Sequence, residues 1–571
     1  MSLISIAVGH GGLGIHSALM QYTVDYLSKL NTQPKGSGET HGLCNKPFAS
    51  AVKRLYFMES RDADNVELYP RSVVVPLDID LSTLDASTVC RRIHNADSGH
   101  SKPCSQDPTC KSEKTWSYLE SSIWSIPEAS YDIWSRGLFN AASQKDVISD
   151  KLRKSVEGTD SFNGFLSFGS LGGGSGSGIG SYISNMISEQ YPKTIHVTAA
   201  IAPFTYGENG MQSLNMTLAL SHYQEFCDGI ILLQNDQQND VGGQLFGTDC
   251  TSFNSFNEVS ALNLFHGIRP PSSSCPISGG ERFHRSLQYI TDGLCSYPSL
   301  KLLNLHLMPV ELLDGSKQNS KGLQQMVNQL ADTLKSDPTL CGGLLNEKVS
   351  ISAKDFAVQE SMGANQTKNN NLSKDQIMLQ DFSNYDKTAI KHIDCSNRFQ
   401  DIRRVPVKSP KCKDIEITDE GISSISSGSE VKTTQNVPFK LIKTVGKKRT
   451  NVTKYNVVAG IQVNIGGPLQ ESMNVVELYQ DVLFWKHSTR PIQVSHCPND
   501  VGLFGNTVSQ ISNSQANLPL LDFTSATSKM LYATNAYIHK YTEYGLERDE
   551  LQDCIINVQE MMNSYAMLSK Y

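Results

Sequence analysis

Seven consecutive residues, GGGSGSG at 172–178, combine five glycines with two serines. Glycine has no Cβ, so its backbone N–H group can approach an anion closely. The apolar segment from Phe162 to Phe168 predicts a buried strand before the run, and apolar residues at helical spacing from Ile179 to Ile187 predict a helix after it. A helix start adds unpaired donors and partial positive charge. The stretch therefore predicts a phosphate-binding loop, to which Ser175 and Ser177 can add hydroxyl donors.

Other glycine-rich segments have features that this loop lacks. A flexible Gly/Ser linker is one alternative, but linkers do not usually lie between a buried strand and an amphipathic helix. No Lys-Ser or Lys-Thr pair follows the glycines, so the stretch is not a Walker A loop. It also matches G-x-G-x-x-G in no register.

A second glycine cluster, GHGGLG, follows the predicted strand from Leu3 to Val8 and precedes a helix predicted from about Ile15 to Leu30. Gly9, Gly11 and Gly14 match the dinucleotide-binding fingerprint, which favours a dehydrogenase. That fingerprint requires an acidic residue about 20 positions later to hold the ribose. Only Glu39 is acidic in the corresponding segment, without a strand around it. The dehydrogenase therefore remains an alternative interpretation.

The elements that must position these loops alternate between strand and helix. Alternation of this kind predicts an α/β fold with a parallel sheet. The polar, aperiodic region at about 345–450 predicts a disordered insertion. Further strands are predicted at 73–75, 194–201, 227–233 and 300–307, and ordered structure is predicted to return near 455–465. Helices are predicted at 253–268 and near the end of the chain, where Leu551, Ile555, Val558, Met562 and Tyr565 share one face.

The composition excludes several classes of protein. The net charge is −7 at pH 7, which argues against a general nucleic-acid binder. There is no run of about 18 apolar residues, so we expect no membrane span. The opening MSLISIAVGHGG lacks the basic segment of a signal peptide, and the 13 cysteines include no CxxC pair. We therefore expect a cytosolic protein with free thiols.

A possible zinc cluster receives little support from its spacing. Its members are separated by three or five residues rather than by the two of a tight CxxC frame. The residues are Cys90, His94, His100, Cys104 and Cys110.

Both glycine clusters and the C-terminal segment resemble tubulins. GGGSGSG resembles the tubulin signature GGGTGSG, with Ser175 in place of Thr, and the GHGGLG segment resembles the tubulin opening GQCGNQIG. The segment at 530–551, MLYATNAYIHKYTEYGLERDEL, is similar to the delta-tubulin pattern A-Y-I-H-Q-Y-T-K-F-G. The resemblance covers most of 1–310 and 455–571 and identifies the chain as a member of the tubulin superfamily, most similar to the delta class.

The resemblance implies a guanine nucleotide site. Glu208 falls on the ribose-binding acid of the family, Asn235 and Asn257 fall on guanine-reading residues, and Phe253 takes the place of the aromatic residue that stacks on the base. An amide edge and a stacking face suit guanine. The implied nucleotide-binding residues are Gly9, His10, Gly11, Gly12, Gly172, Gly173, Gly174, Ser175, Gly176, Ser177, Gly178, Glu208, Asn235, Phe253 and Asn257.

Some positions depart from the tubulin pattern. His10 stands where tubulins have Gln, and Pro76 replaces an Asp that contacts phosphate. In PRSVVVPLDID, Asp78 falls on the Glu beside the bound magnesium, so the resemblance implies an Mg²⁺ ligand there. Trp116 is the retained residue of an N-N-W-A-x-G loop. These departures predict weaker nucleotide binding than in ordinary tubulins.

The resemblance also implies a domain arrangement and a cellular role. We expect a nucleotide-binding GTPase domain at 1–250, a central helix at 251–270, an α+β intermediate domain at 271–523 that carries the insertion, and C-terminal helices at 524–571. The implied ligands are GTP or GDP and Mg²⁺. The implied role is in the assembly of triplet microtubules of centrioles or basal bodies and in cilium formation. A tubulin-like scaffold that binds no nucleotide is an alternative.

The implied partners are other tubulins, through a longitudinal contact, and centriolar or basal-body components, with no nucleic acid and no membrane. The implied locations are the cytoplasm and cytoskeleton, the centriole or basal body and the cilium, with the nucleus as a further one. Tubulins hydrolyse GTP at a subunit contact with an acid from the neighbouring molecule. Here Tyr289 takes that position, and Asp292 lies one turn later. We expect weak or absent GTPase activity, with Asp292 as the candidate catalytic residue.

Overall fold

The structure is a computed structural model of the chain. Asp78, Glu208, the possible zinc cluster and the insertion predicted at 345–450 lie outside the described residues. The structure describes residues 2–32, 41–62, 65–76, 116–124, 126, 130–205, 209–246, 253–268, 286–308, 322–335, 456–467, 474–488, 490–497 and 506–569.

Eleven strands occur within the described ranges. Most contain apolar residues at successive positions, as expected of strands that are covered on both faces. They are β1 (Ser2–Val8), β2 (Phe57–Asp62), β3 (Asn65–Pro70), β4 (Ser72–Val75), β5 (Phe162–Ser170), β6 (His196–Ala202), β7 (Gly229–Gln234), β8 (Leu302–Met308), β9 (Val458–Gly466), β10 (Ile492–Cys497) and β11 (Thr507–Ser514).

The helices alternate with these strands in the first half of the chain and cluster at its end. The α-helices of the described part are α1 (Gly9–Thr32), α2 (His41–Tyr56), α3 (Trp134–Ser143), α4 (Lys145–Glu157), α5 (Gly180–Gln190), α6 (Gln212–Phe226), α7 (Asn235–Phe246), α8 (Phe253–Ile268), α9 (Ser286–Leu294), α10 (Leu323–Lys335), α11 (Val475–Leu478), α12 (Leu518–Ala533), α13 (Ile538–Thr542) and α14 (Arg548–Met567).

Nine of the described strands form one sheet in the order β10-β9-β11-β8-β7-β6-β5-β1-β4. The pairs from β4 through β1, β5, β6 and β7 to β8 are all parallel, whereas β11 is antiparallel to both β8 and β9. The chain moves from β1 outward to β4 on one side and from β5 to β7 on the other. The strand order therefore reverses between β1 and β5, where open α/β sheets bind ligands. The predicted α/β class is confirmed.

Helices cover both faces of the parallel part of the sheet. Leu3 belongs to an apolar cluster with residues of α1 and α8, whereas its neighbour Ile4 belongs to another with residues of α4 and α5. This division follows from the strand geometry, in which successive side chains point to opposite faces. The buried sheet supplies the rigid platform from which the loops project.

Helix α1 begins at Gly9, whereas the apolar spacing predicts a start near Ile15. Gly9 has a φ of +69°, which turns the chain sharply from β1 into the helix. A Cβ at Gly12 would lie 2.3 Å from the carbonyl oxygen of Phe168. The glycine cluster thus lies within the first turns of α1 because the helix packs directly on the backbone of β5.

The C-terminal helices α12 and α14 pack on each other and on α6. Helix α12 begins at Leu518, so a domain boundary placed at 523–524 would fall inside it. In the part of the chain that the structure describes, no helix has the length and apolar character that crossing a membrane requires.

Candidate functional site

The predicted nucleotide loops leave the sheet at one edge. In the parallel register, Val8 of β1 pairs with Val75 of β4 and with Gly169 of β5. Ser170 pairs with Ile201 in β6, and the next residue of β6 pairs with the last residue of β7. The carboxyl ends of β4, β1, β5, β6 and β7 therefore lie side by side. The loops implied to bind phosphate and ribose follow these strands, whereas Phe253 and Asn257 come after α7.

The glycine loop is short and becomes helical before its glycines end. Bends at 171–173 lead into helical backbone at Gly174 and a π-helical turn at Ser175–Ile179, which continues as α5. The sequence pattern predicts a helix that starts only after the last glycine. The N–H groups of a first helical turn have no acceptor within the helix, so they are available to an anion.

Two glycines of the loop are required by packing against the segment before α3. A Cβ at Gly174 would lie 2.4 Å from the backbone nitrogen of Ile133, and one at Gly178 would lie 2.1 Å from the carbonyl oxygen of Trp134. Both neighbours are backbone atoms, which cannot rotate away. These glycines therefore allow α3 to lie directly on the loop.

Gly173 differs from these packed glycines. Among the described residues other than its chain neighbours, the heavy atom nearest to a Cβ at Gly173 would be Oδ1 of Asp132, at 3.6 Å. Within the described part of the chain, a side chain there would meet no close backbone atom. Gly173 is thus the position in the loop where the absence of a Cβ leaves room for a ligand.

The two serines of the loop are both buried. The Ser177 hydroxyl donates to the carbonyl of Gly173 and lies 3.4 Å from that of Gly174. It is 0% exposed, so in this arrangement its proton holds the loop together and is not directed to a ligand. Ser175 keeps 8% of its surface exposed.

The start of α1 lies next to the glycine loop. A Cβ at Gly9 would lie 3.3 Å from the backbone nitrogen of Gly176, so the two clusters are in direct proximity. His10 is exposed at the first turn of α1. The structure thus brings Gly9–Gly12 and Gly172–Gly178 together at the reversal between β1 and β5, where both helix starts can face one anion.

The residues implied to bind the base lie at the starts of α7 and α8, which pack on each other. Asn235 is the first residue of α7 and is 8% exposed. Phe253 begins α8 with its ring 60% exposed, and the buried Phe256 meets it edge-on at a centroid distance of 6.0 Å. An exposed ring held by a buried one is suited to stacking on a base.

Asn257 lies where α8 crosses α1. A Cβ at Gly14 would lie 2.3 Å from Nδ2 of Asn257. The Gly14 position therefore makes room for this side chain. It also links the implied guanine end of the site to the helix whose first turn lies beside the glycine loop.

Both ends of the loop that carries Glu208 are anchored. The Thr205 backbone N–H and hydroxyl donate to Oδ2 of Asp236, at 3.0 and 2.6 Å. On the other side, Nε2 of Gln212 donates to the Phe204 carbonyl at 2.8 Å. Because Asp236 follows Asn235, these bonds tie the loop after β6 to the start of α7.

Sequence reasoning missed the segment at 132–137. Trp116 lies elsewhere: its indole N–H donates to Gln21 of α1 at 2.9 Å. Trp134 and Gly137 have the W-x-x-G spacing of the tubulin loop, and a Cβ at Gly137 would lie 2.3 Å from the Gly174 carbonyl. The W-x-x-G spacing is the sequence signal that marks this segment, and the structure shows that α3 packs on the glycine loop.

Asp292 lies at the opposite edge of the sheet, where the parallel strands have their amino-terminal ends. A Cβ at Gly229, at the start of β7, would lie 3.7 Å from Cγ2 of Thr291, the residue before Asp292. A Cβ at Gly164, near the start of β5, would lie 3.5 Å from Cδ1 of Leu287 in the same helix. From Gly164 to Ser170 a strand extends about 20 Å at roughly 3.3 Å per residue. Asp292 is exposed and is too far away to act on a ligand at the glycine loop of its own chain.

Buried histidines near the parallel sheet are neutral. The ring of His16 is hydrogen-bonded through Nε2 to the Ser5 hydroxyl at 2.7 Å and through Nδ1 to the Tyr118 hydroxyl at 2.8 Å. Desolvation by burial lowers the pKa of His16 to about 3. Desolvation likewise lowers the pKa of His196 to about 3, where the ring bonds to Ser167 at 2.7 Å. These rings are satisfied parts of the core. Among the described residues no group of three His, Cys, Asp or Glu side chains is arranged to hold a metal ion.

Comparison with known proteins finds similarity to tubulins, and the matched residues include both glycine clusters. The model of the Tubulin/FtsZ family, GTPase domain, matches residues 2–243. The tubulin delta chain of Macaca fascicularis is 21% identical over 458 residues, which cover 79% of this chain and 81% of the relative. The human tubulin delta chain is 21% identical over 457 residues with the same coverage. The tubulin gamma chain of Saccharomyces cerevisiae is 30% identical over 142 residues, 24% of this chain and 30% of the relative.

Proposed function

We propose that this chain binds GTP or GDP at the carboxyl edge of its sheet, because the model of the Tubulin/FtsZ family, GTPase domain, matches residues 2–243. The observation that carries the proposal is the meeting of two helix starts, at Gly9–Gly12 and Gly172–Gly178, where the strand order reverses. Such a site favours phosphates. The exposed ring of Phe253 and the amides of Asn235 and Asn257 supply the base end.

Mg²⁺ fits this site together with the nucleotide. A carboxylate beside a phosphate is repulsive unless a cation lies between them, and Asp132 stands beside Gly173. Mg²⁺ takes few protein ligands because phosphates and waters fill its other positions. Asp132 and Asp78 are the residues that we propose would hold it, and the ion would neutralise phosphate charge. Pro76 is buried and supplies no side-chain donor.

We propose that the protein acts as a delta-tubulin-like cytoskeletal protein, in triplet microtubules of centrioles or basal bodies and in cilium formation. Its similarity to tubulin delta chains over 79% of the chain supports this role. The nucleotide loops and Asp292 lie at opposite edges of the sheet. In a head-to-tail contact between molecules, one edge would face the other. That arrangement suits a longitudinal contact with other tubulins.

Binding should be weaker than in ordinary tubulins. His10 and Pro76 replace a Gln and an Asp that make polar contacts in tubulins, and a hydrogen bond to a charged group is worth about 1.5–3 kcal/mol. Two such losses would weaken binding by several orders of magnitude. Hydrolysis should be slow, because Tyr289 takes the position of the family's acid and Asp292 lies one helical turn later.

The nucleotide released from the purified, heat-denatured protein tests the proposal. GTP or GDP supports it, NAD(P) would favour the dehydrogenase and no nucleotide would favour a scaffold. Because weak binding can lose nucleotide during purification, labelled GTP is then titrated with Mg²⁺ and with ATP or NAD as competitor. No saturable binding of GTP, or displacement by NAD but not by unlabelled GTP, would contradict the proposal.

A further inference from the structure

Asn215 of α6 is a four-way junction beneath the glycine loop. Its Nδ2 donates to the carbonyls of Gly172 and Asp132, each at 2.8 Å. Its Oδ1 accepts from the backbone N–H of Trp134 at 3.1 Å and from the hydroxyl of Tyr541 at 2.7 Å. The side chain is 0% exposed. One amide thus holds the first residue of the glycine loop and the segment that packs on that loop.

The chemistry of these four bonds is specific to an amide. Two donors face two carbonyl oxygens, and one oxygen receives two donors, so the hydrogen-bonding capacity of the group is used in full. A carboxylate would place an acceptor against carbonyl oxygens, and an apolar side chain would leave buried backbone groups unpaired, which is costly. The amide therefore fixes the position of Gly172 relative to Asp132 and Trp134.

Tyr541 brings the C-terminal part of the chain into this junction. It lies on α13, which packs on α3, and its ring is 0% exposed. Burial raises the pKa of the Tyr541 hydroxyl far above its ordinary value, so the group stays protonated and donates. The hydrogen bond to Asn215 joins residues 326 positions apart. Tyr537 enters α13 in a left-handed conformation with a φ of 63°, so the local backbone is held by its surroundings.

We propose that Asn215 is a positioning residue of the glycine loop and that Tyr541 links this loop to the C-terminal helices. Nucleotide affinity then depends on a hydroxyl in the C-terminal segment, and bound nucleotide stabilises that segment in return, because coupling between two sites is reciprocal. The inference rests on the proposed guanine nucleotide binding for its effect on affinity. Its effect on the loop itself requires no ligand.

Tyr541→Phe tests the link with a matched control. Tyr565→Phe also removes a fully buried hydroxyl from a C-terminal helix, but that hydroxyl bonds to Asn513 and Leu302, away from the glycine loop. In the protein without nucleotide, amide exchange at 171–179 should be about two- to tenfold faster in Tyr541→Phe than in Tyr565→Phe, as expected for the loss of one hydrogen bond. Equal exchange at 171–179 in the two variants would overturn the proposal.

Titration of labelled GTP provides the second measurement. Affinity should fall about two- to tenfold in Tyr541→Phe and stay at the wild-type value in Tyr565→Phe. GTP should slow amide exchange at 538–546 in the wild type and do so less in Tyr541→Phe. Equal affinity losses in both variants would indicate general destabilisation and would overturn the proposal.

The two measurements separate this inference from the proposed function. If the wild type binds no GTP, and amide exchange of the loop is faster in Tyr541→Phe but not in Tyr565→Phe, the result contradicts GTP binding and supports the link. A wild type that binds GTP with the same affinity as Tyr541→Phe would contradict the link and support GTP binding. Asn215→Asp is a harsher variant that can fail to fold, so Tyr541→Phe decides the question.

Discussion

Two adjacent glycines of the glycine loop should respond in opposite ways to the same substitution. A Cβ at Gly174 would lie 2.4 Å from the nitrogen and 2.8 Å from the oxygen of Ile133, whereas one at Gly173 would meet no atom of the described segments closer than 3.6 Å. Overpacking against rigid neighbours typically costs about 1–3 kcal/mol. We expect Gly174→Ala to lose about 2–3 kcal/mol in free energy of unfolding, since both neighbours are backbone.

Gly173→Ala should leave the fold intact and affect the ligand. Replacement of glycine at an unstrained position stabilises by about 0.4–1 kcal/mol through the unfolded chain, so stability should stay constant or rise slightly. The added methyl group would occupy the open side of the loop, where we place the phosphates. We expect GTP affinity to fall about tenfold or more, equivalent to about 1.4 kcal/mol.

Urea unfolding and titration of labelled GTP measure the two effects separately. Gly322→Ala is the control, because a Cβ there would have no neighbour within 4 Å in the described ranges and should report mainly the effect on the unfolded chain. Equal stability losses in Gly173→Ala and Gly174→Ala would refute the division between packed and open glycines. Wild-type GTP affinity in Gly173→Ala would refute the placement of the ligand.

Three further predictions concern acid sensitivity, base stacking and hydrolysis. Because the pKa of His16 and of His196 is lowered to about 3 in the folded protein, the unfolded state binds more protons below pH 6.5. The free energy of unfolding should therefore fall by about 2 kcal/mol for each ring between pH 6.5 and pH 5, and urea unfolding at constant stability over that range would contradict it. Phe253→Ala should weaken GTP binding by about 1–3 kcal/mol and leave the stability of the fold unchanged. Phe256→Ala should destabilise the fold by about 3–5 kcal/mol. Equal shifts in melting temperature in the two variants would argue against the stacking role of Phe253. Asp292→Asn should leave GTP affinity unchanged and slow any assembly-dependent single-turnover hydrolysis, so a change in affinity of the isolated chain would be incompatible with its place at the far edge.

The elements that carry the site could be predicted because they depend on local patterns. Apolar runs predict β1, β5 and β7, and the helical spacing from Ile179 to Ile187 predicts α5. Parallel strands that alternate with helices place their carboxyl ends at one edge, so the order of loops along the chain already predicts which segments meet. The start of α1 at Gly9 was not predicted, because glycine is normally unfavourable inside a helix.

The sequence by itself determined that a glycine-rich loop lies between a buried strand and a helix, since residue spacing records burial one element at a time. The tertiary structure alone decided which glycines serve packing and which one is open, because Gly174 lies against the backbone of Ile133 whereas the described residues leave Gly173 open. It alone directed the Ser177 hydroxyl into the loop and joined Asn215 to Tyr541. Contacts between segments far apart in the chain leave no period in the sequence, because they depend on how the packed elements place two backbones against each other.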